Sequence, residues 1–120
     1  MVDETNYIPW GAYLQHSTVF SEGTKVSVEI EVVKGGPVDV LLFDSGGFLN
    51  FVRFMEGKIN SASYFNIGSA LNVESKKYDF IVPVQDRYFI VINNAGRIEG
   101  GARPVGDVSV HIKVTYTLPP

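Results

Sequence analysis

The sequence predicts an all-β fold, an antiparallel β-sandwich of jelly-roll-like form with seven or eight strands and one short helix around 46–56. Three observations predict it. Charged residues make up only 19% of the 120 residues, while Val, Ile, Phe, Tyr and Gly are plentiful, which is strand-rich composition. Two stretches, one from Lys25 and one from Val108, alternate apolar and polar side chains with period two. Turn residues recur between short apolar runs, and amphipathic helical spacing occurs once.

The chain has the length of one domain, 1–120, and can bury a core without disulfides; it contains no cysteine. Residues 1–10 read as an N-terminal arm. They carry acidic residues and no apolar run, unlike a signal peptide, and the sequence leaves open whether Met1 is the natural start. Residues 12–20 form a weak strand pattern. From Lys25, the residues Val26, Val28, Ile30 and Val32 share one face, as expected of a half-buried strand. Lys34-Gly35-Gly36-Pro37 breaks it, and Val38–Phe43 follows, apolar on both faces except Asp39.

Residues 48–56 fit a strand badly, since both faces would mix Phe with Asn or Arg. As a helix, Phe48, Phe51, Val52 and Met55 fall on one stripe, predicted to face the core. Asp44 or Ser45 is placed to cap the first turn and Gly57 to end the last in the left-handed conformation. Leu49 and Phe54 lie off the stripe; exposed together, they would offer a binding platform. A second weak strand is expected over 59–66. Tyr78–Val82 and Tyr88–Ile92 read as strands joined by Pro83–Asp86 in a hairpin-like return, and Val108–Tyr116 is the last strand. The 93–106 stretch, NNAGRIEGGARPVG, is a long glycine-rich loop.

Composition excludes several function classes. With 10 basic and 13 acidic residues, a formal charge of −3 and no basic run, no nucleic-acid partner is expected. No apolar run reaches 18 residues, so no membrane-spanning helix is expected. His16 and His111 carry no metal-ligand spacing, and His111 falls on the polar face of the last strand, where a histidine is ordinarily a surface residue. There is no G-x-S-x-G motif, and the serines in Asp44-Ser45-Gly46 and Gly68-Ser69-Ala70 read as turn residues. No catalytic residue and no cofactor are expected. Asp39, Asp44 and Asp107 sit beside Gly or Pro loops and are weak calcium candidates; the ordinary roles are a cap for Asp44 and a hydrogen-bonding residue at a sheet edge for Asp39.

The binding candidates are Trp10, Phe54, Arg97 and Arg103. The two arginines stand in the glycine-rich loop, where guanidinium groups suit a carboxylate partner. Trp10 with Tyr7 and Tyr13 either anchors the first strand to the core or, if exposed, stacks on sugars; anchoring is the reading we favour.

The segments "FSEGTKVSVEIEV", "GGPVDVLLFDSGGF" and "YDFIVPVQDRYFIVINNAG" resemble the GOLD-like and bacterial pre-peptidase C-terminal-like sandwich domains. The matching residues are Gly23, Thr24 and Val26; Val38, Asp39, Val40, Leu42 and Asp44; and Phe80, Val82, Pro83, Tyr88, Ile90, Ile92 and Asn93. The resemblance spans about 18–117 and departs over 48–72 and in the glycine-rich loop. The stretch "GGARPVGDVSVHIKV" looks like archaeal uncharacterised surface or secreted proteins. What the resemblance implies is a non-catalytic interaction module with a protein partner, extracellular or at the cell surface. A carbohydrate-binding module using exposed aromatics is the alternative, and a homo-oligomer is compatible with either.

Overall fold

The computed structural model describes residues 2–120; Met1, and the question of whether it is the natural start, lie outside them. Eight strands and one helix follow in the order β1 (Val2–Ile8), β2 (Tyr13–Phe20), β3 (Lys25–Lys34), β4 (Val38–Phe43), α1 (Ser45–Met55), β5 (Phe65–Val73), β6 (Ser75–Ile81), β7 (Asp86–Asn93) and β8 (Val108–Thr117). They form two four-stranded antiparallel sheets, β1-β8-β3-β6 and β2-β7-β4-β5. This is the jelly-roll order. Every connection crosses from one sheet to the other except β4 to β5, and that single exception carries the helix.

The inward rows of both sheets build the main core. Val26, Val28 and Ile30 from β3 and Val108, Val110, Ile112 and Val114 from β8 meet Val38, Val40 and Leu42 from β4 and Ile90 and Ile92 from β7. These are the period-two residues of the sequence, now buried. The first sheet's outer face is a solvated ladder of opposite charges, with Lys77–Glu29 at 3.3 Å and Lys25–Asp79 at 3.6 Å. The second sheet's outer face is covered instead, by a second apolar cluster of Leu41, Phe43, Phe51 and Val91 under α1.

The helix forms as its sequence dictates. Asp44 caps it by accepting from Gly47 N–H at 2.7 Å. At the other end, Gly57 N–H donates to Phe54 O and Lys58 N–H to Arg53 O, with Gly57 at φ +78°, which is a Schellman stop. Phe51 is fully buried, and Phe48 stacks on Phe89 with ring centroids 4.2 Å apart. The stripe is core.

Four expectations need correction. Residues 2–8 are not an arm but strand β1, paired along its length with β8; being an edge strand, it needs little apolar sequence, and only Ile8 is buried. The weak strand lies at 65–73 rather than 59–66; two register shifts against β4 and left-handed residues at Gly68 and Asn72 disguise its alternation. β6 and β7 do not make a hairpin. Val82 is buried and exchanges backbone hydrogen bonds with Gly23 and Thr24, which turns the chain across the core into the other sheet. Asp39 is not at a sheet edge, because β4 lies between β7 and β5.

Candidate functional site

The sandwich has two poles. One gathers the β1–β2 turn (9–12), the β3–β4 turn (35–37) and the long β7–β8 loop (94–107); β1 begins and β8 ends at the other. The candidate site is the loop pole.

Its organiser is Asn94. Wholly buried, it donates from Nδ2 to Ile8 O at 3.1 Å and Gly106 O at 2.9 Å, while its backbone pairs with Ala12 and Gly11. This one residue thus ties both ends of the long loop together, its side chain to the end of β1 and its backbone to the β1–β2 turn. Asn93 adds a local brace, donating to Gly96 O at 2.9 Å. Asp39 pins the middle of the loop: its Oδ1 accepts from Ala102 N–H at 2.8 Å and from Asn72 N–H at 2.9 Å. The Asp39 side chain is fully buried, and Oδ2 has no partner among the described residues. Burial therefore raises its pKa above the ordinary value, against the opposing pull of the two amides.

Asp107 completes the pole. It accepts from the backbone N–H of Trp10 at 2.8 Å and from the Tyr7 hydroxyl. The Tyr7 bond, with the Trp10 amide second, lowers the Asp107 pKa, and the same bond raises that of Tyr7. The outcome is a fixed turn that leaves large apolar groups in water: Trp10 is 65% exposed, Tyr7 62% and Val105 79%. Arg103 is exposed in the same loop.

The expected site residues therefore separate. Trp10 does not anchor β1 to the core; Tyr13 does the packing, edge-on to Phe51 at 5.0 Å between centroids, while Trp10 projects outward. Phe54 is only 9% exposed, so it forms no platform with the exposed Leu49. The Arg97 guanidinium lies over the Phe54 ring at 4.6 Å and donates to Met55 O at 2.8 Å. That arginine is occupied in holding the loop to the end of α1. The three calcium candidates accept hydrogen bonds from N–H or O–H donors, at three separate places, which is the opposite of a cation cage. Among the described residues no cluster of three potential ligands occurs.

The histidines lie elsewhere and apart. His111 Nε2 is 2.9 Å from Asp3 Oδ1 and its Nδ1 2.9 Å from Thr5 Oγ1, on the open face of the first sheet. His16 Nε2 is 3.4 Å from Glu4 Oε1 at the β1/β2 side. A cleft of about 390 Å³ opens between the start of α1 and residues 59–65, with Asp44 its one ionisable acid. Sequence reasoning missed Val105 and the organising role of Asn94; the run Pro104-Val105-Gly106 was the available signal, an apolar residue held between two turn formers.

No protein-family model matches the sequence, and no characterised protein matches it by sequence. Solved structures do match. The chain is similar to the Aeromonas hydrophila PliG, a periplasmic lysozyme inhibitor of g-type lysozyme, with a TM-score of 0.64 at 15% identity, over 97% of this chain and 85% of that one. The Salmonella Typhimurium PliG, of the same description, aligns with a TM-score of 0.48 at 17% identity, over 95% and 86%. The first likeness establishes a shared fold. It also corrects the resemblance to GOLD-like and pre-peptidase domains and to archaeal surface proteins. The residues that carried that resemblance, such as Val26, Val40, Leu42, Phe80 and Ile92, are core positions that many sandwiches need, and the hairpin it assumed is absent.

Proposed function

We propose that this chain is a non-catalytic protein-binding module of an exported protein, and that it meets its partner with the loop pole. The observation that carries the proposal is Trp10. Its indole is held out in water by a turn whose amide is fixed by Asp107, when burying that ring would have stabilised the fold. Exposed Trp and Tyr on a preorganised surface are the commonest binding hot spots, because they bury much area while little entropy is lost on docking. Tyr7 shares the Asp107 anchor with Trp10, and the same pole also exposes Val105 and Arg103 in the long loop.

The shared fold supports a protein as the partner, since the Aeromonas protein is by description a lysozyme inhibitor. A g-type lysozyme is the first partner to test. Biolayer interferometry on immobilised g-type lysozyme, with a parallel assay of cell-wall lysis, is expected to give binding that Trp10→Ala weakens roughly tenfold or more while the melting temperature stays unchanged. Equal binding by wild type and Trp10→Ala refutes the site. Exposed Trp10 beside Tyr7 also suits sugar stacking; glycan-array binding abolished by Trp10→Ala, with no lysozyme affinity, would establish the carbohydrate reading instead.

A further inference from the structure

Two open sheets leave four edge strands, and three of them are blunted. β1 carries Asp3 and Glu4, β6 carries Lys76, Lys77 and Asp79, and β5 is bulged at two places with left-handed residues at Gly68 and Asn72. Charges, bulges and kinks are the usual defences of an edge against another strand. β2 has none. Tyr13–Phe20 contains no Asp, Glu, Lys, Arg, Pro or Gly, and it pairs with β7 over eight residues without a register shift.

The backbone groups of this edge can be assigned. Asn94 N–H donates to Ala12 O, so the even-numbered residues of β2 bond to β7 and the odd ones turn their N–H and C=O groups outward. Tyr13, Gln15, Ser17 and Val19 therefore offer a row of free donors and acceptors, and residues 17–19 are all exposed. Two neighbouring charged side chains already have partners: Glu4 accepts from Asn6 Nδ2 at 3.1 Å, and Arg87 donates to Ser17 Oγ at 3.3 Å.

We propose that this edge pairs antiparallel with the same edge of a second copy, joining two four-stranded sheets across a two-fold axis. The occupant is a second copy because β2 carries no Asp, Glu, Lys or Arg, so pairing with itself sets no carboxylate against a carboxylate and no ammonium or guanidinium against its like. The register that uses every free group sets Tyr13 opposite Val19 and Gln15 opposite Ser17, with the two His16 residues facing across the axis. That places His16 at a non-hydrogen-bonded pair, where opposed Cα atoms are close enough for a disulfide.

The native chain has no cysteine, so single substitutions report cleanly. In sedimentation velocity the wild type is expected to dimerise with rising concentration. Ser17→Pro, whose amide faces away from β7, is expected to keep its circular dichroism and melting temperature and to raise the dimer dissociation constant about tenfold or more. On mild oxidation His16→Cys is expected to form a disulfide-linked dimer rapidly, and Ser75→Cys, exposed on the β6 edge, only slowly. A wild type monomeric at every concentration overturns the proposal. So does equal dimerisation of Ser17→Pro, or equal cross-linking of the two cysteine variants.

Discussion

Asp39 is the residue whose replacement tests the architecture of the loop pole most directly. It is a fully buried carboxylate inside β4, a strand otherwise made of Val, Leu and Phe. Asp39→Ala leaves the amides of Asn72 and Ala102 without an acceptor. Each unsatisfied buried donor costs about 1–3 kcal/mol, so the expected loss is roughly 2–6 kcal/mol, less whatever is regained by removing a buried charge. Asp39→Asn keeps the Oδ1 acceptor and abolishes ionisation. Because burial raises the folded-state pKa above the unfolded one, the native state binds the proton more tightly. The stabilisation from that proton is complete below the unfolded pKa and is lost as pH rises through the folded value. Urea unfolding from pH 7 down to about 4 is therefore expected to show wild type gaining on Asp39→Asn, by at most about 1.4 kcal/mol per pH unit. A wild-type advantage that is flat, or that shrinks on acidification, would refute the picture of a desolvated carboxylate with one orphan oxygen.

Two further outcomes follow from the helix that covers the second sheet. Phe51→Ala empties the centre of the Leu41–Phe43–Val91 cluster and is expected to cost about 3–5 kcal/mol in urea unfolding. Asp44→Ala removes the bond to Gly47 N–H and is expected to cost about 1 kcal/mol, read as a lower melting temperature.

How far the sequence spoke depended on what a residue pattern can encode. β3 and β8 were legible because their alternation runs unbroken over 25–32 and 108–116 and their inward rows are wholly apolar. The helix was legible because stripe, N-cap and C-terminal glycine agreed. β1 was not, since an edge strand over solvent needs no apolar row, and β5 was not, since its bulges break the period. Topology was hidden for a different reason: nothing in β6 or β7 states which layer the next strand enters, and the crossover is marked only by buried Val82 and its backbone bonds to Gly23 and Thr24. The site was half legible. Trp10 and Arg103 were singled out, but exposure is decided by neighbours distant in sequence: Asp107, which fixes Trp10, lies 97 residues further along, and Asn94, which ties the loop, is nearly as remote.

The buried polar side chains bear on why the loop pole matters. Apart from Thr24, the polar residues in the fully buried set are Asp39, Asn93 and Asn94, and all three serve the 94–107 loop. They occupy or adjoin strands whose neighbours are Val, Leu and Ile, where an apolar residue would bury more favourably and leave no orphan atom. A loop needed only to connect two strands would not require them, since a fourteen-residue crossover closes at little extra entropic cost when left mobile. Stability has instead been given up to hold one long loop, and the Trp10 turn bonded to it, in a single shape. That is the arrangement expected of a surface whose geometry is used.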